Sequence, residues 1–508
     1  MFVSFLNPQG NFDPDDSYWM EHPDFGGQLV YVKETALALA ELGHRVDIIT
    51  RQIKDSEWPE FSDQLDSYPG SEGVRIVRIP CGPEDFLPKE QLWPHLGTDW
   101  LDGIIDFYDD EGEFPDVTTT HYGDGGLVGA LLKDRTGINY TFTGHSLGAQ
   151  KMDRLGTTKD NLEQLDNRYN FARRIAAERV GMNRAGQVIT STNQERFNQY
   201  SHRAYSNAID PDNEAKFSVI PPGVNKKIFH QEESSQDREI KDRIKSTLER
   251  DLPTERRDLP LVLCSSRLDR KKNHMGLVNA FVTCDRLQEL ANLAIVVRGA
   301  DDPLHQRDHF GGEGKKILDD IASTLEENDL WETVTSFPLD NQEELAAAYR
   351  WARDRGSVFA LTSVYEPFGL APLEAMSCGL PVVVTDQGGP TESLVDEETG
   401  EKYGALVDPE DPEDIAGELL ELLGSEEKWK SYQEAGLDRV LSRYTWEQTA
   451  KSYAKALKQV QGEQRPKGDK IPIPEYFTNP SPETDIKLEQ LRTLYFNGNP
   501  GTRYSGES

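Results

Sequence analysis

Short apolar runs alternate with helix-length stretches along almost the whole chain, and no other feature restricts its fold as much. In the first half the runs are Val3–Leu6, Arg45–Thr50, Val74–Ile79, Val117–His121, Tyr140–Thr143, Val188–Thr190 and Phe217–Ile220, with helical periodicity in Gln28–Leu42 and Glu163–Arg184. In the second half they are Leu261–Ser265, Leu293–Arg298, Val334–Phe337, Val358–Thr362 and Pro381–Thr385. Strands spaced by helices form βαβ units, so an α/β fold built on parallel sheets is predicted. A chain of 508 residues exceeds what one core holds, so two doubly wound, Rossmann-like domains are expected, facing each other across a cleft. The segment Val219–Asn225 contains Pro221-Pro222-Gly223, which breaks both helix and strand. The predicted domains are therefore 1–222 and 223–460. Residues 461–508, rich in Pro, Gly and charge, are predicted to form an extended tail with one short helix at Ile486–Tyr495.

The formal charge of −34 repels phosphate backbones and anionic lipid, so neither nucleic acid nor a membrane surface is an expected partner. No apolar run is long enough to span a bilayer, and the chain opens on a strand run with no basic leader, so a cytoplasmic location is expected. The acidity itself is read as a solvated, halophilic type of surface suited to high intracellular salt. Cys81, Cys264, Cys284 and Cys378 are scattered, with no spacing that suits zinc or a disulfide framework.

Chemistry concentrates after the strand runs, where open parallel sheets bind ligands. Glu366 and Glu374 stand eight positions apart around the turn Pro367-Phe368-Gly369, and Leu370 starts a helix. Free backbone N–H groups at Gly369 and Leu370 suit an anion, and the two carboxylates suit sugar hydroxyls, a combination that fits a nucleoside diphosphate sugar. By spacing alone a plainer reading competes, with Glu374 offsetting the helix dipole and Glu366 a turn residue. The loop Ser266–Asn273 weighs against it, because Arg267, Arg270, Lys271 and Lys272 cluster there in an otherwise acidic chain. Arg267 and Lys272 would neutralise a departing diphosphate. In the first domain Gly26-Gly27 follows the first strand and lets backbone approach a ligand closely. The stretch lacks GxGxxG, which argues against a nicotinamide-dependent dehydrogenase.

Gly144-His-Ser-Leu-Gly148 matches a nucleophile elbow with Ser146 as nucleophile, but no downstream His sits in a triad context and the following segment is charged. His145 is instead placed at the cleft floor beside a reacting sugar, with a hydrogen-bonded structural histidine as the alternative.

Taken together, Glu366-PFGLAPL-Glu374, SRLDRKKN at 266–273, PPGV at 221–224 and GGQ at 26–28 resemble the retaining GT-B glycosyltransferases of family 4 type that include sucrose-phosphate synthases and sucrose synthases. LNPQGNFD at 6–13, HPDFGGQLVYVKE at 22–34, HYGDGG at 121–126 and GHSLGAQK at 144–151 are similar to the bacterial sucrose-phosphate synthases. The resemblance implies UDP-glucose or another NDP-glucose as donor, bound by the second domain, and fructose 6-phosphate as acceptor, bound by the first. It implies that Glu374 holds the ribose, Glu366 the glucose, and Arg267 and Lys272 the diphosphate. Gly27, Phe368, Gly369 and Leu370 complete the donor set, and His145 contacts the sugar. Gly26, Gln28, Lys89, Asp124, Lys151, Arg173 and Arg174 form the acceptor set, whose cations would separate a phosphorylated acceptor from free fructose. The implied reaction retains configuration, with the leaving phosphate taking the acceptor proton. No cofactor is required and no metal ligands are assigned; stimulation by Mg2+ is left open. Because no phosphatase signature follows, a separate sucrose-phosphate phosphatase is the expected partner. Sister readings are a sucrose synthase, a mannosylfructose-phosphate synthase, a GT-B UDP-sugar epimerase and a non-catalytic sugar-nucleotide sensor.

Overall fold

The computed structural model describes residues 1–19, 22, 25–235, 237–462 and 470–497. Among the described residues, fourteen strands carry the fold: β1 (Phe2–Leu6), β2 (Arg45–Arg51), β3 (Leu65–Asp66), β4 (Val74–Ile79), β5 (Val117–His121), β6 (Tyr140–Thr143), β7 (Gln187–Thr190), β8 (Phe217–Val219), β9 (Leu261–Ser265), β10 (Asn292–Val296), β11 (Val334–Phe337), β12 (Val358–Leu361), β13 (Val382–Thr385) and β14 (Ala405–Val407). They form two sheets, ordered β3-β4-β2-β1-β5-β6-β7-β8 and β11-β10-β9-β12-β13-β14. Every pairing is parallel except β3 on β4. In each sheet the strand order reverses beside the first strand of its domain, between β1 and β5 and between β9 and β12. Loops leaving those strands diverge at that point, which opens a binding crevice.

Helix-paired parallel strands are buried on both faces, and these read accordingly as runs of Val, Ile and Leu. β5 departs furthest from that pattern, because Val117-Thr-Thr-Thr-His121 is polar yet wholly buried. Two of its three threonine hydroxyls are bonded: Thr120 Oγ1 donates to the Thr141 carbonyl at 2.9 Å, and Thr119 Oγ1 accepts from Thr141 Oγ1 at 2.8 Å. Thr119 in turn bonds the Tyr453 hydroxyl at 2.6 Å.

That last bond explains the main difference from the predicted domains. The chain divides at Pro221/Pro222, close to the predicted junction, but returns to the first unit at Trp446. The span 446–460, assigned by sequence to the second domain, thus belongs with the first. In the helix Trp446–Gly462, Trp446, Ala450, Tyr453, Leu457 and Val460 form one buried stripe with Val3, Phe5 and Leu29. A stripe of this kind states that a helix covers a sheet and not which sheet.

The tail is also part of the first unit. Tyr476 and Phe477 are buried in its core with Trp93 and Leu96, and Arg184 Nε donates to the Ile471 carbonyl at 3.0 Å. Its helix runs Leu488–Asn497, slightly later than Ile486–Tyr495. Residues 463–469 and 498–508 of the predicted tail, like Pro23 and Asp24 of the HPDFGGQ stretch, lie outside the described residues.

The predicted helix Glu163–Arg184 is two helices, Leu162–Tyr169 and Phe171–Arg184, broken at Asn170. Asn170 takes a left-handed conformation (φ 51°, ψ 43°), which Asn tolerates better than most residues. The Ala172 N–H donates to Asp166 Oδ1 at 2.7 Å across the break. Two edge strands, β3 and β14, had no signal strong enough to predict. β3 is held in part by buried Arg78, whose guanidinium donates to Asp66 at 2.9 Å.

Candidate active site

In the second unit the loops after β9 and β12 are tied together. The Val364 N–H donates to the Lys271 carbonyl at 2.9 Å. Lys272 Nζ reaches Glu366 Oε2 at 2.6 Å, and Ser363 Oγ donates to the same oxygen at 3.3 Å. The two residues expected to share the donor are therefore neighbours at the point where the strand order reverses. Arg267, from the same loop, is exposed and has no side-chain partner among the described residues. The loop ends at Asn273, whose Oδ1 accepts the Gly276 N–H at 3.1 Å and starts the helix His274–Thr283.

Gly369 stands at the N-cap of the helix Leu370–Ser377 with φ 88°, a region that disfavours any side chain. Phe368 packs its ring 6.2 Å from that of Tyr444. The turn is buttressed by a segment the sequence reading passed over. Glu366 donates its N–H to the Gln387 carbonyl at 3.0 Å, and Gly389 donates to the Glu366 carbonyl at 2.9 Å. A Cβ at Gly388 would come 2.1 Å from that carbonyl oxygen, so the Gly-Gly-Pro after β13 is a seat for the glutamate turn. Its only sequence signal was the dipeptide itself.

Glu374, in the second turn of Leu370–Ser377, keeps partial solvent contact. Enough protein nevertheless surrounds its carboxyl that burial pushes the pKa up to about 7.

In the first unit, Gly26 caps the helix Gly27–Glu41 without a side-chain bond. Among the described residues, and apart from its chain neighbours and its own helix backbone, nothing stands within 4 Å of a Cβ built at Gly27, so packing there does not demand glycine. Gln28 is buried, and its Nε2 has no partner among the described residues. His145 follows β6 with φ 52°, and its Nε2 lies 2.8 Å from Nδ1 of His121 at the end of β5. Burial pushes His145 down to about 3 and holds His121 well below the ordinary imidazole range, with the neighbouring His145 adding to the shift. Both rings are therefore neutral at physiological pH. His121 was not singled out, because two histidines 24 residues apart carry no sequence sign of contact.

Lys89 and Arg174 line one small pocket, about 20 Å³ in volume, together with Gln9, Glu90, Gly123 and Tyr169. Lys151 sits at its rim, with Nζ 4.0 Å from the Tyr169 ring centre and 4.0 Å from Glu90 Oε1. Asp124 is buried beside it. Burial raises its pKa to about 6, opposed by a hydrogen bond from Gln9, its own backbone bonds and the Arg174 charge.

Arg173 departs from the expected acceptor set. Its guanidinium forms a fork with Asp485 of the tail at 3.0 and 2.7 Å, donates to Asn170 Oδ1 at 3.0 Å and covers the Tyr476 ring. Adjacent residues on a helix point about 100° apart, so only one of the two arginines can face the pocket.

The elbow-like segment 144–148 serves as backbone scaffold. The Gly144 N–H donates to the Tyr200 hydroxyl at 3.2 Å, and the Gly148 N–H donates to both Glu178 oxygens at 2.8 and 3.0 Å. Arg174 Nη2 donates to the Ser146 carbonyl at 2.5 Å. The one histidine beside Ser146 is engaged with another histidine rather than with a carboxylate, which does not suit the hydrolase reading.

Among the described residues no helix is long and apolar enough to cross a membrane. Residues 1–249 match a family model described as the first GT-B domain of sucrose synthase, and residues 246–439 match that of glycosyl transferases group 1. A probable sucrose-phosphate synthase of Thermosipho melanesiensis is 42% identical over 477 residues, covering 94% of this chain and 99% of that protein. Sucrose-phosphate synthase 4 of Arabidopsis thaliana is 32% identical over 85% of this chain, which spans 45% of the plant protein. A solved sucrose-phosphate synthase from Thermosynechococcus elongatus superposes with a TM-score of 0.60 at 26% identity, covering 90% of this chain and 98% of that one. With 42% identity over nearly its full length to a probable sucrose-phosphate synthase and both family models matched in order, the chain belongs to the sucrose-phosphate synthase family of GT-B glycosyltransferases.

Proposed function

We propose that the protein moves glucose from UDP-glucose, or another NDP-glucose, to fructose 6-phosphate with retention, giving sucrose 6-phosphate and NDP. The observation that carries this reading is the pocket lined by Lys89 and Arg174 with Lys151 at its rim. Cations gathered in so acidic a chain suit a phosphate, and neither free fructose nor an epimerase needs one. On the donor side, Lys272 and Arg267 take the diphosphate, Glu366 the hexose hydroxyls and Glu374 the ribose. The bond from the anomeric carbon to the β-phosphate oxygen breaks, and a bond to the C2 oxygen of fructose forms on the same face. The hydroxyl proton passes to the departing phosphate oxygen, whose charge the two cations offset. The reading assigns no resident metal or cofactor, with Mg2+ acting at most as a stimulant of the phosphates. It places the enzyme in the cytoplasm and leaves removal of the product phosphate to a separate phosphatase.

The test compares fructose 6-phosphate, fructose and no acceptor with UDP-glucose and with other NDP-glucoses, in high KCl. Product with fructose 6-phosphate alone is expected. Equal turnover with fructose would remove the phosphate role of the pocket, and isomerised donor without acceptor would favour an epimerase.

Glu374 adds a pH signature. Its raised pKa of about 7 means that the carboxylate form, which accepts from ribose hydroxyls, fills in only as pH rises through neutrality. UDP affinity measured by calorimetry is expected to strengthen from pH 6 to pH 8. Glu374→Gln should flatten that dependence and weaken binding at pH 8 by roughly tenfold, the scale of one hydrogen bond to a charged group. The sign for stability is opposite. The folded protein keeps a proton that the unfolded chain releases near pH 4.5, so this group's contribution is lost as pH rises towards 7. A wild-type affinity independent of pH would remove Glu374 from the ribose site.

A further inference from the structure

His121 and His145 form an imidazole pair that the transfer mechanism above leaves unexplained. A neutral imidazole carries one N–H and one bare nitrogen, so the 2.8 Å contact between His121 Nδ1 and His145 Nε2 allows two arrangements. If His145 Nε2 donates, His121 must carry its own proton on Nε2. That nitrogen is buried and has no partner among the described residues. Its ring is stacked on Phe5, 5.5 Å away and 7° from parallel, and meets Tyr31 edge-on at 6.2 Å. An N–H orphaned there would lose its full hydration, and such donors are rarer in folded proteins than unsatisfied acceptors. If His121 Nδ1 donates instead, the orphan is only a bare nitrogen.

The second arrangement also settles His145. Its Nε2 is the acceptor, so its proton is on Nδ1, the one polar atom of the ring not committed to His121. The ring planes are 22° apart with centres 5.0 Å apart, so the two nitrogens meet nearly in plane, as a direct N–H···N bond requires. Tyr31 and Tyr122 pack against His145 with ring centres at 5.3 and 5.2 Å, and neither brings a charge that would draw a second proton onto the pair.

We propose that His121 is a positioning residue that fixes His145 as the Nδ1–H tautomer, so that His145 offers a hydrogen-bond donor, and not a base, to a hydroxyl oxygen of the transferred hexose. The inference rests on the reading that His145 faces the sugar. It adds a consequence: with its Nε2 committed to His121, His145 does not take the acceptor proton, which agrees with release of that proton to the departing phosphate.

The test has a readout apart from turnover. In full-length protein with 15N-labelled histidine, the His145 signals are identified by their loss in His145→Ala. From pH 6 to pH 8, Nδ1 is expected in the protonated range and Nε2 in the unprotonated range. The reverse pattern, or a doubly protonated ring, overturns the proposal. His121→Asn sets an amide N–H near the place of Nδ1–H and should retain both the tautomer and kcat within about tenfold. His121→Phe, which removes the donor, should lose roughly 10- to 100-fold in kcat with KM for both substrates little changed. Equal kcat in the two variants also overturns it. Should the wild-type protein transfer no sugar at all, the functional reading falls, while the tautomer still stands or falls on the spectrum.

Discussion

Lys272→Ala is expected to lower kcat by roughly 10²–10³-fold, with a much smaller loss of donor affinity. The difference follows from when the charge matters. In bound donor the diphosphate negative charge is shared over several oxygens, and on the proposed function Arg267 and backbone N–H groups would hold part of it. As the glycosidic bond breaks, charge builds on one β-phosphate oxygen, and a cation placed there stabilises the transition state more than the ground state. The loop position of Lys272 is fixed by the 2.6 Å contact to Glu366 and by the backbone bond from Val364 to Lys271. Removal of the ammonium has a second effect, because it leaves the Glu366 carboxylate without its cation beside an anionic leaving group. Lys272→Arg should not restore activity, since a planar fork does not occupy the place of a compact ammonium. Lys271→Ala is the control: its side chain is exposed, and its backbone bond survives the substitution. Steady-state kinetics with calorimetric UDP binding distinguishes the cases. An unchanged kcat in Lys272→Ala would remove the residue from leaving-group stabilisation.

Much of this arrangement was legible because the signals are local. Apolar runs mark strands, and the loops that follow β1, β9 and β12 must lie at the reversal points of the sheets, so Gly26, at the end of the long loop after β1, and Lys272 and Glu366, soon after β9 and β12, could be placed by strand position. What was not legible depends on distant parts of the chain. The helix Trp446–Gly462 shows a clear buried stripe, but its sheet is decided by the bond from Tyr453 to Thr119, more than 300 residues away. Arg173 and Arg174 look like one basic pair until Asp485 takes the first of them. The raised pKa of Glu374 is a property of its surroundings and not of its spacing from Glu366. The contact between His121 and His145 joins the ends of neighbouring strands, and only the pairing of β5 with β6 brings it about.

Arg174→Ala is expected to destabilise the first unit by about 3–5 kcal/mol and to raise the KM for fructose 6-phosphate, and the two effects have separable causes. The stability loss comes from Glu178, which is wholly buried. Its carboxylate accepts Arg174 Nε at 2.8 Å, the Gly148 N–H and the Tyr205 hydroxyl. Without the guanidinium, a buried negative charge keeps only neutral donors, and the Ser146 carbonyl loses its bond as well. The acceptor effect comes from the same guanidinium lining the pocket with Lys89; loss of one charge-assisted contact to phosphate corresponds to roughly 10- to 100-fold in KM. The double variant Arg174→Met with Glu178→Gln separates them. With both charges gone, no buried ion is left unpaired, so denaturant titration should show most of the stability restored. The methionine offers phosphate nothing, so the KM for fructose 6-phosphate should stay as high as in Arg174→Ala, with the KM for donor near wild type. Recovery of acceptor KM together with stability would mean that Arg174 only supports the Gly148 loop, and would leave the phosphate to Lys89 and Lys151.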